Sequence, residues 1–303
     1  MTTAGLPFAK GHGTENDFVL LPDLDGTLDV SAALVRALCD RRAGIGGDGV
    51  LRVAREGEHW FMDYRNADGS TAEMCGNGVR VFARYLYEEG LVPLGPLTVA
   101  TRAGLKGVVL AEDSVTVDMG PPVFGAESSA ELDGAEHPGA AVSMGNPHLV
   151  CPVDLPLADL DLTRAPGFDA AVFPDGVNVE FVVAAEPLPG ADLHVAMRVH
   201  ERGVGETRSC GTGACAVAAE VLRRKGRGRG TVAVDVPGGR VTVTLDGVTS
   251  LLTGPAVIVA RGVLDAAWVD AARVGTDRDD AARVDTGRTD PAPAHTVVPA
   301  PVR

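Results

Sequence analysis

Lysine is nearly absent from this chain: Lys10, Lys106 and Lys225 are the only three among 303 residues. Few positions are therefore open to chemistry that needs a reactive amine. Apolar runs of membrane-spanning length are missing too, because Gly, Pro or a charge interrupts each one. The opening MTTAGLPFAKGHG lacks the basic-then-apolar pattern of a secretory leader, so the expected location is the cytoplasm. Positive charge is in deficit, with a formal net charge of −14, which argues against nucleic acid as a partner. The five cysteines, Cys39, Cys75, Cys151, Cys210 and Cys215, are odd in number and irregular in spacing, which excludes a secreted disulfide framework. None forms Cys-x-x-Cys and the histidines are scattered, so no metal site is expected.

What the chain does have is core. Its hydrophobic content of 45% supports a globular fold of one large domain or two ordinary ones. Segments such as EHWFMDYRN, LTVATRAG and SVTVDMG read as short strands bounded by Gly, Asn or Asp. SAALVRALCDRRAGIG reads as a helix capped by Ser31 and ending near Gly44. Past residue 266, DAARVGTDRD is nearly repeated by DAARVDTGRT before a Pro-rich end. Residues 267–303 are therefore expected to be a disordered, low-complexity tail.

The chain also repeats itself. MDYRNADGSTAEMCGNG starts at Met62 and MRVHERGVGETRSCGTG at Met197; the shift of 135 residues also superposes Cys75 on Cys210. Each cysteine opens a Cys-Gly-x-Gly run into a helical pattern, with Val79, Phe82, Ala83 and Leu86 matched by Ala214, Val217, Ala218 and Val221. GTENDFVL similarly parallels MGNPHLV. The expected architecture is α/β with two related halves, residues 1–119 carrying Cys75 and 120–266 carrying Cys210. The last strand, near 252–265, is a candidate to pack on the first half. Two facing halves would bring both cysteines into one cleft, a common setting for small-molecule sites.

A thiol at a helix start meets unsatisfied N–H groups and partial positive charge, and its pKa is expected to fall. The same amides, approached closely past glycine, can hold a carboxylate. Its α-carbon would then lie between two sulfurs. One thiolate could remove the α-proton while the opposite thiol supplies another, with the helix termini stabilising the carbanion. Pyridoxal phosphate would need a Schiff-base lysine, and none of the three lysines has a fitting context. Cys39, Cys151 and Cys215 read as small core residues; Asp48 and Asp68 read as turn residues.

The set HGTENDFVL, GIGGDGV, NADGSTAEMCGNG, MGNPHLV, GVNVEF and ERGVGETRSCGTGA closely resembles diaminopimelate epimerases, in order, over residues from about 6 to 265. The resemblance implies a cofactor-independent enzyme interconverting LL- and meso-diaminopimelate, and commonly a homodimer. It implies two pseudo-symmetric domains, each a curled mixed β-sheet around a central helix. By motif, Cys75 and Cys210 match the catalytic bases, and Gly76, Asn77, Gly211 and Thr212 match the groups holding the reacting carboxylate. Asn16, Asn66, Asn146, Asn178, Glu201 and Arg202 match residues that recognise the rest of the substrate. His148 and Glu201 match positions that tune the thiols. Two departures stand out: Glu15 sits where a glycine more often precedes Asn-Asp, and Gly49 sits at a substrate-side position where some members carry glutamine.

Two other readings share these cysteines. A proline or hydroxyproline racemase would typically show His after the first Cys-Gly and an Asp near the second cysteine; Asn77 and the Glu201-Arg202 pair favour the diamino diacid. A thiol redox or binding protein would exchange no substrate hydrogen with solvent.

Overall fold

A computed structural model describes residues 5–274 of the chain. Alternating apolar residues build the strands, and their pairing follows the internal repeat step by step. In the first half, Leu6–Gly13 and Asn16–Pro22 are antiparallel, Asn16–Pro22 and Gly49–Glu56 parallel, and Gly49–Glu56 and His59–Asn66 antiparallel. His59–Asn66 then pairs in parallel with Gly95–Thr101, which continues antiparallel through Gly104–Leu110 to Val115–Gly120. The second half runs the same course. Ala135–Ser143, Pro147–Pro152, Asn178–Ala184 and Leu193–Glu201 pair antiparallel, parallel and antiparallel. Leu193–Glu201 pairs in parallel with Gly230–Val236, which leads antiparallel through Gly239–Leu245 to Ser250–Gly254.

The strand that follows each of these runs pairs with the opening strand of a half. Val123–Leu132 pairs with Ala135–Ser143 at the start of the second half, and Val257–Leu264 pairs with Leu6–Gly13 at the start of the first. The two meet where Ser250–Gly254 pairs with Val115–Gly120. The whole is a mixed α/β fold of mostly antiparallel strands with parallel crossovers.

The helix α1, Ala32–Cys39, is capped by the Ser31 hydroxyl, which accepts from the Leu34 N–H. The two parallel crossovers from His59–Asn66 and Leu193–Glu201 carry α2, Gly76–Glu88, and α3, Gly211–Arg224. Both are buried around nearly their full circumference, from Gly76 to Leu86 and from Gly211 to Ala219 apart from a half-buried Thr212. A helix buried all round sits inside its sheet rather than on it. Val79, Phe82, Val217 and Leu222 share one continuous core with strand residues of both halves.

The chain beyond residue 266 departs from expectation. Ala266–Val274 forms a fourth helix, α4, whose buried Val269, with Trp268 and Ala272 beside it, packs against Val19, Leu34 and Leu38. The apolar group in AAWVDAARV is enough to dock one short helix despite the low-complexity repeat it belongs to. The rest of the expected tail, 275–303, lies outside the described residues.

Candidate active site

Both repeated cysteines are helix caps. Cys75 has extended backbone angles (φ −139°, ψ 120°) and its Sγ accepts from the Gly78 N–H at 3.4 Å. Cys210 does the same (φ −120°, ψ 115°), accepting from the Gly213 N–H at 3.4 Å. The two helix starts abut. A Cβ on Gly211 would stand 3.5 Å from the Gly76 Cα and 3.4 Å from the Asn77 Oδ1, and Leu252 Cδ2 lies 3.0 Å from the Cβ positions of both Gly76 and Gly211. Neither glycine has a left-handed φ, so it is the tight space between the two helix starts, not backbone conformation, that favours glycine there.

Around Cys75 the polar groups form a closed set. The thiol donates weakly to Asn16 Oδ1 at 3.5 Å, and Asn77 Nδ2 donates to the same oxygen at 3.2 Å. Asn16 in turn donates through Nδ2 to Asp48 Oδ2 at 2.7 Å. Asp48 thus fixes the Asn16 amide orientation, a role beyond the turn its sequence context suggests; Asp68 does serve a turn, accepting from the Ser70 N–H and hydroxyl. The loop between the first two strands carries Thr14 and Glu15 at φ 51° and 61°. Glu15 therefore holds a backbone region that favours glycine, and its carboxylate pairs with Arg208 of the second half.

Around Cys210 a relay runs inward. Thr212 Oγ1 lies 3.5 Å from the thiol and accepts from Asn146 Nδ2 at 3.4 Å. Asn146 Oδ1 meets His148 Nε2 at 3.1 Å, and His148 Nδ1 meets Glu180 Oε1 at 2.6 Å, with both of these last residues fully buried. His148 and Glu180 occupy neighbouring parallel strands, with His148 in register opposite Asn178, and Asn146 lies in the bend just before the first of them.

The remaining expected residues are less tightly gathered. Glu201 accepts from the Thr207 hydroxyl, and its charge acts on both thiols. Asn178 is buried and engaged with backbone, donating to Pro147 O at 2.9 Å and accepting from the Arg202 N–H at 3.0 Å. Arg202 is exposed, its guanidinium donating to Asp175 O at 3.0 Å. Asn66 donates to Ser70 Oγ at 3.0 Å in the turn after its strand. Gly49 has room for no side chain, since a Cβ would lie 2.5 Å from Arg65 O and 2.7 Å from Tyr64 Cε2. The Tyr64 ring, edge-on to Phe18, fills space on the same strand face as Asn66.

The thiols do not show the expected downward pKa shift. Burial pushes Cys75 up to about 11 and Cys210 well above the usual thiol value, and the Glu201 carboxylate pushes both further up. The Gly78 and Gly213 N–H groups act in the other direction and are outweighed. A helix terminus is a local effect; desolvation of a thiolate by a packed cleft is larger. Cys39, Cys151 and Cys215 are also held up by burial, to about 12, and are inert core thiols.

Sequence reasoning passed over Glu180, a charge in the middle of the apolar strand NVEFVVA, on the same face as Asn178. The interruption of an apolar run by one glutamate was the available signal. Thr14, Arg80 and Ser209, all buried, were also missed. Among the described residues no group of three or more His, Cys, Asp or Glu is arranged to hold a metal ion.

Solved structures of similar fold include a phenazine biosynthesis protein of the PhzF family from Bacillus anthracis (TM-score 0.63, 17% identity, covering 85% of this chain and 98% of that one). Another is a hydroxyproline epimerase from Agrobacterium vitis with bound trans-4-hydroxy-L-proline (TM-score 0.62, 17% identity, 88% and 94%). They place the chain in the fold shared by PhzF proteins and proline-racemase-like epimerases. The family profile for diaminopimelate epimerase matches residues 8–125 and 140–259. Proteins named diaminopimelate epimerase are 54% identical over 291 residues in Streptomyces coelicolor (88% of this chain, 97% of that protein) and 51% over 290 in Rhodococcus opacus (87% and 98%). The chain belongs to the diaminopimelate epimerase family.

Proposed function

We infer that this chain is an isomerase that epimerises diaminopimelate between its LL and meso forms, in lysine and peptidoglycan precursor synthesis, without a cofactor. The observation that carries the mechanism is the abutment of two cysteine-capped helix starts at Gly76 and Gly211. In this reading the amides at Gly76, Asn77, Gly211 and Thr212 hold the α-carboxylate, and the α-carbon lies between Sγ of Cys75 and Sγ of Cys210. One sulfur, as thiolate, takes the α-proton and becomes a thiol; the other gives its proton to the opposite face and becomes a thiolate. The carbanion between the two steps is stabilised by the helix-terminal N–H groups. Because burial holds both thiols protonated, positive charge from the substrate ammonium groups is what favours the thiolate.

The halves 1–119 and 120–266 are proposed as the units that close on substrate, with Val257–Leu264 moving with the first. The proposed working form is a cytoplasmic homodimer acting on the free small molecule, without nucleic acid or membrane; no described helix is long and apolar enough to cross a membrane.

The test is substrate in D₂O followed by NMR. The donating thiol equilibrates with solvent, so product acquires deuterium at the inverted carbon while substrate recovered early keeps its proton. Unlabelled product would exclude the mechanism.

The distal end of diaminopimelate carries an ammonium and a carboxylate. Glu201 and Arg202 are proposed to meet them, with Asn66, Asn146 and Asn178 supporting that end. Arg202 is free to turn inward by giving up one bond to Asp175 O. Arg202→Met should raise KM by roughly 30-fold or more, the lower end of the cost of breaking a desolvated charged hydrogen bond, and should also lower kcat through misplacement of the α-carbon. Steady-state kinetics with an unchanged KM would remove Arg202 from the site.

A further inference from the structure

Arg80, on α2 between the core residues Val79 and Val81, is fully buried and has no carboxylate partner among the described residues. Its Nη2 donates to Asn77 Oδ1 at 2.7 Å and to Thr14 Oγ1 at 3.2 Å. Nε and Nη1 make no hydrogen bond among the described residues. Burying a guanidinium without a counter-charge is costly, and burial lowers its pKa to about 10, still charged at neutral pH. The fold nevertheless makes room for it. A Cβ on Gly13 would stand 3.0 Å from Nη2, and a Cβ on Gly254 would collide with Nη1. Neither glycine has a left-handed φ, so both positions are shaped by the guanidinium.

The groups Arg80 touches cross from one half to the other. Thr14 Oγ1 shares a 2.6 Å hydrogen bond with Ser209 Oγ, and Asn77 Nδ2 donates to Ser209 O at 3.1 Å and to Ser209 Oγ at 3.2 Å. Thr14, Asn77, Arg80 and Ser209 are all buried. Asn77 lies two residues after Cys75, and Ser209 directly precedes Cys210. The bridge therefore ties the chain beside one sulfur to the chain beside the other. It also clamps the left-handed turn at Thr14 and Glu15, whose backbone lies so close to Gly238 of the second half that a Cβ there would overlap Thr14 O.

We propose that Arg80 is a positioning residue of the epimerase: by holding Thr14 and Asn77 against Ser209, its guanidinium sets the register of the two thiols across the α-carbon. The proposal rests on the two-thiol reading above. Lysine in its place keeps the charge, but its shorter, freely rotating stem does not fix a donor where Nη2 reaches both oxygens.

The measurement compares wild type, Arg80→Lys and Ser209→Ala with diaminopimelate in D₂O, following both inversion and α-deuteration of recovered substrate. Arg80→Lys should lose about 10²-fold in kcat, the scale of an ångström-sized misplacement, with KM nearly unchanged. The ratio of exchange without inversion to inversion should rise, because removal by one sulfur is no longer followed promptly by delivery from the other. That ratio does not depend on how much protein is folded, so a purely stabilising role would leave it unmoved. If Arg80→Lys lacks the wild-type near-ultraviolet circular dichroism, Ser209→Ala, which removes the hydroxyl from the opposite end of the bridge, decides by the same ratio. A raised ratio in the deciding variant supports the role; an unchanged ratio, or a fall in kcat matched by an equal rise in KM, overturns it. Wild type that fails to label its product would overturn the epimerase reading instead, so the two failures are distinct.

Discussion

Cys75→Ala and Cys210→Ala should each abolish interconversion of the diaminopimelate stereoisomers. Inversion needs removal on one face and delivery on the other, and among the described residues no second acid or base is hydrogen-bonded to either thiol: Cys75 meets Asn16 and the Gly78 N–H, Cys210 meets Thr212 and the Gly213 N–H. Loss of one general acid–base group is worth about 10²–10⁴-fold, and inversion uses both groups in every turnover. Folding should largely survive. The methyl of alanine occupies the Cβ position already present, and although the sulfur's capping bond is lost, an N-cap contributes only about 1 kcal/mol. The two variants should also differ in a diagnostic way. Each retains one sulfur, so each should still wash out the α-proton of the stereoisomer that presents hydrogen to that face. Turnover of either variant near the wild-type rate would end the two-base account.

The parts of this site that were legible in the sequence are those set by local rules. A cysteine followed by Gly-x-Gly and an apolar periodic run signals a helix start, and its recurrence after 135 residues marked the second half. The pairing order carries the repetition on to Val123–Leu132 and Val257–Leu264, each of which pairs with the opening strand of a half. What stayed hidden depends on the three-dimensional surroundings. Arg80 in the string GNGVRVFARY looks like a solvated helix face, because only burial of the whole helix reveals its setting. The thiol pKa values were misjudged for the same reason: the capping N–H groups are visible in sequence, and the desolvating walls are not. Arg202 shows a third kind of limit. Its motif predicts a ligand contact, but the side chain is exposed and bonded to Asp175 O, and sequence carries no information on which way it turns.

Glu180 should prove the most consequential residue outside the thiols. It lies in the strand Asn178–Ala184, flanked by Pro147–Pro152 and Leu193–Glu201, with no route to solvent. One carboxylate oxygen holds His148 Nδ1 at 2.6 Å; the other has no hydrogen bond among the described residues. Oε1 also lies 2.7 Å from where a Cβ on Gly213 would be, so it touches the first turn of α3 beside Cys210. Glu180→Ala leaves His148 buried without its partner and opens a void, and should cost about 3–5 kcal/mol in denaturant unfolding. It should also lower kcat sharply, because His148 orients Asn146, which holds Thr212 against the second thiol. Glu180→Gln separates packing from charge. It keeps the volume and an acceptor for the imidazole, so most of the stability should remain. The Cys210 thiol is raised first by burial, then by Glu201, then by Glu180. Removing the last of these charges moves its pKa down, since a nearby anion disfavours thiolate. Cys210 should then react faster with iodoacetamide at a fixed pH, while the rate at Cys75, for which Glu180 is not among the leading perturbing charges, changes less. Peptide mapping of the alkylated protein distinguishes the two sites, and a Cys210 rate unchanged or slowed in Glu180→Gln would show that the Glu180 carboxylate places no negative charge on that thiol.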